Sequence, residues 1–431
     1  MTRVLLLLVS LVAATPVAAQ EPRSLLGPAS ADALFDDSVV HDITLTINKD
    51  DWQTLKARYL EDTYYPADFR WRNNVVRNVG IKSRGSGSRS GTKPGLKVDF
   101  SKYTSDQTFM GLKSIVLRNN TQDPSNLRER LSMLLYRRMG IPAPREVHAR
   151  LFINGEFAGL YTIVESLDKP FLRNTFGDDS GWLYKYDYPA DAAPFYFEDR
   201  GLDPGAYVPT PFSPETHSSD PRGDIIASWV QAINDPREAV WRTLMAGFID
   251  LGAFLRFVAI EAYLGDDDGV LGNWGMNNFY TYRFPGTSTF TLLPWDKSDT
   301  FPGPYGSVWH NIVDVPPQQQ NRLVNRALNY RDLRASWLAS LEDCITSSLE
   351  LDPAQPEDGG WLAREIEREY AQIHAAALAD PVKPFTNEAF EDSVNALRVF
   401  AQERPGFVAA EIAADRARTG LRPKPLPDAD R

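Results

Sequence analysis

The sequence predicts an α+β protein whose first half is rich in strands and whose second half is mainly helical. Apolar and polar residues alternate over several short stretches of residues 39–165, whereas apolar residues recur at helical spacing over four longer stretches of residues 239–414. At 43% hydrophobic and 24% charged residues, the 431-residue chain has the composition of a globular protein with a large core. No fixed-period repeat is visible, which disfavours solenoids and propellers.

Residues 1–19 have the pattern of a signal peptide. Arg3 precedes an uncharged apolar run, and the stretch ends on a Val-Ala-Ala triplet. Because the run is shorter than the ~20 residues that a membrane helix needs, we expect cleavage before Gln20 and export, with a retained membrane anchor as the alternative. The destination is then the periplasm, the cell surface or the medium, and no second apolar stretch predicts a membrane span in the mature chain.

The charge and cysteine content exclude two classes of protein. With 46 basic and 57 acidic residues the net charge is -11, so a nucleic-acid partner is not expected, because such proteins present a basic face to the phosphates. The single cysteine, Cys344, excludes a disulfide scaffold, and its helical apolar surroundings predict a buried small side chain rather than a nucleophile.

Residues 20–186 are predicted to form a strand-rich lobe, a sheet with one inserted helix. The pair Asn154-Gly155 predicts a hairpin turn, and a Gly/Ser-rich loop at 85–91 separates two strands. Predicted strands span residues 39–47, 79–84, 95–100, 112–117, 149–153 and 160–165, and predicted helices begin at residue 49 and span residues 126–139.

The chain changes character after residue 186. Residues 187–223 are dense in Pro, Asp, Gly and Ser without periodicity, and are interpreted as an insertion or linker rather than core. Residues 224–431 are predicted to form a helical lobe that also carries loops rich in acids and asparagines. Its predicted helices span residues 239–264, 322–349, 361–378 and 389–414, the last broken at Pro405.

Two of these loops contain the densest acidic cluster of the chain. Carboxylate and amide oxygens from neighbouring loops suit magnesium or calcium, whereas five His and one Cys offer no convincing zinc set. The alternatives are acids that only cap or solvate a helix end, or a structural calcium site. The cluster consists of Asp266-Asp267-Asp268, Asn273, Asn277-Asn278, Asp296 and Asp299.

The order of these residues resembles the catalytic loop of protein kinases. There an Asp receives the hydroxyl proton, an Asn five residues later holds a metal ion, and a downstream Asp holds the metal on the phosphates. Asp268, Asn273 and Asp296 follow this order. The Gly/Ser-rich loop with Lys97 on the next strand resembles a nucleotide-binding element, and a flexible hairpin tip is the alternative for that loop.

An ordered series of motifs over residues 34–301 resembles the spore-coat protein H (CotH) kinase family. The series is more specific than any one of its parts. It comprises Ile81-Lys82-Ser83-Arg84-Gly85-Ser86, Lys93-Pro94-Gly95-Leu96-Lys97-Val98-Asp99-Phe100, Leu117-Arg118-Asn119-Asn120, Asp123-Pro124-Ser125-Asn126-Leu127-Arg128, Phe152-Ile153-Asn154-Gly155 with Glu165, Gly181-Trp182-Leu183-Tyr184-Lys185, Asp268-Gly269, Asn277-Asn278-Phe279-Tyr280 and Pro294-Trp295-Asp296.

The resemblance implies a two-lobed atypical protein-kinase-like fold that binds ATP with Mg²⁺ or another divalent cation and phosphorylates Ser or Thr of a protein acceptor outside the cell. Asp268 would be the catalytic acid of the loop. By the same resemblance, the metal ligands would be Asn273, Asn278 and Asp296, and the nucleotide would contact Gly85, Ser86, Lys97, Glu165 and Lys185.

One departure from the family pattern keeps alternative functions open. The family often shows Trp-Asp-x-Asp, but here Ser298 stands where the second acid would fall, and Asp299 is displaced by one residue. Together with export into a compartment short of ATP, this favours an inactive kinase-like surface or binding protein as the alternative. A second rival is a hydrolase of an extracellular polymer, because sugar cleavage uses paired carboxylates.

Overall fold

The computed structural model describes residues 31–187 and 194–422. The signal peptide predicted at residues 1–19 lies outside the described residues. Within the described ranges, no helix combines the length and the apolar character that crossing a membrane requires.

The strand-rich half folds into a closed seven-stranded barrel rather than an open sheet. The strand order is β1-β2-β3-β4-β5-β7-β6, and a parallel pairing of β1 with β6 closes the ring, in which all other pairs are antiparallel. The strands are β1 (His41–Ile47), β2 (Tyr65–Trp71), β3 (Asn74–Ser83), β4 (Leu96–Asp99), β5 (Ser114–Arg118), β6 (Glu146–Ile153) and β7 (Glu156–Glu165).

Alternating burial along β1 shows why these residues form a barrel. Ile43, Leu45 and Ile47 are buried inside, while the residues between them are exposed or half-buried. The predicted turn between β6 and β7 is present, with Asn154 at φ 52° and Gly155 at φ 89°, the left-handed values that this hairpin turn requires.

Three helices accompany the barrel strands, namely α1 (Lys49–Ala57), α2 (Arg128–Arg138) and α3 (Lys169–Phe176). Helix α2 leaves the barrel after β5, and the Tyr136 ring packs against Phe257 of the C-terminal half at 5.1 Å between centroids. Helix α3 follows β7 directly, and the Asp168 side chain caps its first turn by accepting from the Phe171 amide.

The C-terminal half contains a second sheet, of four antiparallel strands in the order β11-β10-β8-β9. These strands are β8 (Trp182–Tyr186), β9 (Phe212–Pro214), β10 (Phe279–Arg283) and β11 (Phe290–Pro294). Strand β8 therefore pairs with strands of the second half, although the sequence analysis places it in the first.

The interpretation of residues 187–223 as an insertion or linker outside the core is wrong for the described part of this segment. It supplies β9, and Phe195, Phe197, Tyr207 and Phe212 are buried in the main hydrophobic core. The aromatic side chains are spaced irregularly, so no periodic pattern reveals their burial.

Seven helices complete the C-terminal half: α4 (Gly223–Asn234), α5 (Glu238–Ala246), α6 (Leu251–Leu264), α7 (Arg322–Leu328), α8 (Arg331–Leu349), α9 (Trp361–Ala379) and α10 (Asn387–Thr419). Two of the predicted helices, at residues 239–264 and 322–349, are each divided in two. At the first division, the Asp250 carboxylate accepts from the Gly252 and Ala253 amides and so begins α6 as a new helix.

The predicted break at Pro405 is absent, because α10 continues through this residue. A proline in a helix removes one backbone hydrogen bond. Here the neighbouring Arg404 is buried and donates to the carbonyls of Ala262, Tyr263 and Pro304, which holds this turn of the helix against the core. Cys344 is also buried in this core, as the sequence predicts.

Candidate functional site

A cleft of about 620 Å³ lies between the barrel and the second sheet. Strands β3, β4 and β5 line one side of it, and β8, β10 and the loop after β11 line the other. Six of the nine residues that the sequence analysis selects line this one cleft: Gly85, Ser86, Lys97, Lys185, Asn278 and Asp296.

The Gly/Ser-rich loop at the cleft is held in place rather than projecting freely. Gly85 has φ 116°, and a Cβ atom there would lie 2.6 Å from Ser88 Oγ, so this position requires glycine. Arg89 folds back over the loop, donating from Nε to the Gly85 carbonyl at 2.8 Å and pairing with Asp62 at 2.7 Å.

Asp296 occupies the opposite wall of the cleft, immediately after β11. Its backbone has φ 53°, a left-handed conformation that is uncommon for residues other than glycine. Arg118 Nη1 lies 2.6 Å from Asp296 Oδ1. Burial acts to raise the pKa of Asp296, but Arg118 and Arg84 outweigh it and hold the pKa below its ordinary range, so the group is ionised at neutral pH.

Asp268 lies behind the cleft wall, and its carboxylate accepts hydrogen bonds from two asparagines that line the cleft. Asn277 donates to Asp268 Oδ1 at 3.0 Å, and Asn278 donates to Asp268 Oδ2 at 2.7 Å. The Asn278 carbonyl in turn accepts from the Trp295 amide at 3.2 Å, which joins the Asp268 loop to the loop that carries Asp296. Burial raises the pKa of Asp268 to about 6, although the Asn277 hydrogen bond opposes this effect.

A buried ion-pair cluster that the sequence analysis missed fixes the two loops to each other. Lys297 Nζ lies 2.6 Å from Glu261 Oε1 of α6 and 2.7 Å from Asp266 Oδ2. Asp266 also accepts from the Asp268 amide at 3.1 Å. Its carboxylate is thus buried against a lysine rather than available for catalysis. The signal in the sequence is Glu261, the one acid in the largely apolar helical stretch of residues 251–264.

Besides Asp268, two of the selected residues do not line the cleft, namely Glu165 and Asn273. Glu165 accepts from Arg145 at 2.6 and 2.9 Å. Asn273 Oδ1 accepts from His310 and Asn311 at 2.7 and 2.8 Å. Both side chains are therefore engaged elsewhere in the structure.

The cleft offers few protein ligands for a metal ion. Within residues 31–187 and 194–422, no three His, Cys, Asp or Glu side chains lie together as a metal site. Asp296 and Asn278 present one carboxylate and one amide oxygen from adjacent loops. This set fits Mg²⁺, which in phosphate-binding sites takes one or two protein ligands and completes its shell with phosphate oxygens and water.

The cations of the cleft fall into two groups. Lys82 and Arg89 both pair with Asp62, and Lys185 pairs with Asp187. In contrast, Arg84, Lys97, Lys113 and Lys169 line the cleft without a hydrogen bond or ion pair from their side chains to any other part of the described chain.

Arg84 is a site residue to which the sequence analysis assigns no role. Its guanidinium lies 5.7 Å from the centre of the Trp295 ring. Burial and the neighbouring Arg118 act together to lower its pKa. A half-buried guanidinium beside a second one favours an anionic ligand in the cleft. The signal in the sequence is its position directly before Gly85.

Comparisons with known proteins point to one family. The family model described as CotH kinase protein matches residues 81–408. Inner spore coat protein H of Bacillus subtilis is 23% identical over 372 residues, which cover 84% of this chain and 95% of that protein. Invasin CotH3 of Rhizopus delemar is 24% identical over 289 residues, or 62% of this chain and 46% of that protein.

A solved structure, the Helicobacter pylori proinflammatory kinase CtkA, aligns with 78% of this chain and 95% of its own chain. The sequence identity is 10% and the TM-score is 0.30.

Proposed function

Because this chain belongs to the CotH kinase family, we propose that it is an exported, two-lobed protein kinase that transfers the γ-phosphoryl group of ATP to Ser or Thr of a protein acceptor. The observation that carries the proposal is the cleft, in which Arg84 and Lys97, both unpaired among the described residues, lie across from Asp296 and Asn278, with Asp268 directly behind.

The phosphates of ATP are proposed to bind at Arg84, Lys97 and the Gly85-Ser86 loop. The side chains of Arg84 and Lys97 are unpaired within residues 31–187 and 194–422, so they can meet phosphate oxygens without first breaking an ion pair. Lys185 is a weaker candidate, because its ammonium group is bound to Asp187.

Asp296 and Asn278 would hold a divalent metal ion, whose contribution is to neutralise the charge of the phosphates. Asp296 keeps a negative charge at neutral pH, because the arginines around it lower its pKa. Ser298 leaves only this one carboxylate at the usual pair of positions. Burial raises the pKa of the displaced Asp299, and the nearby carboxylates of Asp266 and Asp296 raise it further.

Asp268 would orient the acceptor hydroxyl and accept its proton. A carboxyl with a pKa of about 6 is mostly ionised at neutral pH and is a stronger base than an ordinary aspartate. Asn277 and Asn278 hold both of its oxygens, which fixes the direction in which the remaining lone pairs point. Positioning of this kind supplies much of the catalysis in phosphoryl transfer.

The rival functions make different use of the same cleft. The contact of Arg118 with Asp296 Oδ1, together with Ser298, favours an inactive kinase-like binding protein, because it leaves fewer free oxygens for a metal. The unpaired cations favour a phosphate ligand over a neutral glycan, which counts against the polymer hydrolase.

Isothermal titration of Mg-ATP into the chain that begins at Gln20 tests the proposal, with phosphate transfer from labelled ATP measured in parallel. Asp296→Ala should weaken both binding and transfer, and adding Asp299→Ala should weaken them further. The exposed acid Asp42, paired with Arg150 on the barrel surface, provides the matched control, Asp42→Ala. Equal affinity in all variants would refute the metal assignment, and binding without transfer in the wild type would favour the inactive alternative.

Export is tested separately, by sequencing the amino terminus of the chain recovered outside the cytoplasm. A mature chain that begins at Gln20 is expected. An intact amino terminus would contradict cleavage.

A further inference from the structure

Trp274 has a larger exposed fraction than any other tryptophan of this chain. Its side chain is 76% exposed, whereas the other nine tryptophans are buried or half-buried. Leaving an indole in water forgoes the hydrophobic stabilisation of one of the largest side chains. A single exposed tryptophan is therefore a candidate contact residue, because tryptophan is enriched among the residues that dominate binding energy at interfaces.

The loop that carries Trp274 is closed by hydrogen bonds at its base. The Asn273 amide donates to the Asp267 carbonyl at 2.8 Å, and the Asn277 amide donates to the Gly269 carbonyl at 2.9 Å. The bonds from His310 and Asn311 to the Asn273 side chain fasten the loop to the segment beside it. The backbone beneath Trp274 is thus fixed, although its side chain lies in solvent.

This loop is the one that holds Asp268. Asn277, at its base, donates to the Asp268 carboxylate, while Trp274, at its tip, is not among the residues that line the cleft. Val313, 64% exposed, lies two residues from Asn311 on the segment to which the loop is fastened. Trp274 and Val313, here called the Trp274 surface, are therefore exposed apolar residues outside the cleft, one on the loop that holds Asp268 and one on the segment bonded to that loop through Asn273.

We propose that the Trp274 surface binds an apolar side chain of the acceptor polypeptide, a few residues from the hydroxyl that is phosphorylated. The inference rests on the proposed kinase function. An acceptor chain that places a hydroxyl at Asp268 runs beside the loop that carries Trp274, because the bonds from the Asn273 and Asn277 amides to Asp267 and Gly269 close this loop next to Asp268. A tryptophan on a fixed backbone has only two side-chain torsions to immobilise, so it binds at a low cost in conformational entropy, which suits recognition of an extended segment.

The test uses fluorescein-labelled peptides that contain one serine among glycines and alanines, with one phenylalanine moved through the positions on either side of the serine. Fluorescence anisotropy measures their binding to the full chain in the presence of Mg²⁺ and a non-hydrolysable ATP analogue. Phosphate transfer from ATP to the same peptides is measured separately. The variants are Trp274→Ala, Trp274→Phe and, as an exposed apolar control elsewhere in the C-terminal half, Leu351→Ala.

We expect the wild type to bind the peptide more tightly when phenylalanine stands at one or more of the tested positions. Trp274→Ala should weaken the binding of such a peptide by about tenfold or more. Trp274→Phe should keep most of the increase in affinity that the phenylalanine causes, and Leu351→Ala should keep all of it. The inference would be overturned if the wild type preferred no phenylalanine position. It would also be overturned if Trp274→Ala kept the preference of the wild type. Selective binding that Trp274→Ala abolishes, without transfer by the wild type, would support the surface and refute the kinase function.

Discussion

Lys297 Nζ lies 2.6 Å from Glu261 Oε1, and both side chains are buried. The pair joins α6 to the loop that follows Asp296, and Asp266 extends it to the loop that holds Asp268. Although burial acts to lower it, Asp266 and Glu261 hold the pKa of Lys297 above its ordinary range. The relative position of the two proposed functional aspartates therefore depends on a cluster whose residues do not line the cleft.

Lys297→Met should lower the free energy of unfolding by about 3 to 5 kcal/mol, because it leaves two buried carboxylates without their cation. Urea denaturation measures the change. The exposed Lys49 provides the control, and Lys49→Met should change stability by less than about 0.5 kcal/mol. An equally small loss in Lys297→Met would show that the cluster does not hold the loops together.

Asp268→Asn should lower the rate of phosphate transfer by about a hundredfold or more and leave Mg-ATP affinity nearly unchanged. Asparagine has almost the same shape, but it cannot accept the proton of the acceptor hydroxyl. Single-turnover transfer and titration of Mg-ATP separate the two effects. Asp267→Asn, one residue away, serves as the control and should retain transfer. Unchanged turnover in Asp268→Asn would indicate that Asp267 is the proton acceptor, because Asp266 is buried against Lys297.

Arg84→Ala should weaken ATP binding by about tenfold or more, whereas Lys185→Ala should have a smaller effect. The Arg84 side chain makes no hydrogen bond or ion pair to the described residues, while Lys185 is already paired with Asp187. Titration of Mg-ATP into both variants measures the difference. The opposite order of effects would show that Lys185 leaves Asp187 to bind the phosphates.

Because the carboxyl of Glu146 is buried, we expect the free energy of unfolding to fall as the pH rises. Burial raises its pKa from 4.5 to about 7, although Arg118, Arg137 and Arg130 oppose the shift. Below pH 4.5 the group is protonated in both the folded and the unfolded chain. As the pH rises to about 7, the unfolded chain ionises first, so the native state loses about 3 kcal/mol of relative stability.

Glu146→Gln should remove this dependence, because glutamine does not titrate. Urea denaturation of both proteins across the range from pH 4.5 to about 8 measures it, and the stability of the variant relative to the wild type should increase with pH. A constant difference between the two proteins would contradict the raised pKa of Glu146.

Several features of the fold follow from local sequence patterns. Alternating apolar residues predict the strands around Ile43 and Val98, Asn154-Gly155 predicts a turn, and helical spacing predicts most of the second half. The α+β class and membership of the CotH kinase family are confirmed. These signals are local because side-chain burial in a strand or helix repeats every two or 3.6 residues.

Because these sequence signals are local, they predicted only part of the candidate site. Motif order selected Asp296, Asn278 and Lys97, and the fold brings all three to one cleft. The same motifs selected Glu165 and Asn273, whose side chains bind Arg145 and a His310–Asn311 pair instead. A motif specifies which residue types are present, but the direction of each side chain depends on partners supplied by distant segments.

What the sequence determined by itself is therefore the α+β class, most of the barrel strands and the helical stretches of residues 239–414, the family, and the residue types available for phosphate and metal binding. The tertiary structure alone decided that β1 closes the barrel on β6, that Lys297 joins Glu261 to Asp266, and that the Arg84 side chain forms no hydrogen bond or ion pair with the described residues. Each of these depends on contacts between residues far apart in the chain. Such contacts form only when the whole core packs, because burial, and not local propensity, determines which charged groups pair and which remain free to bind a ligand.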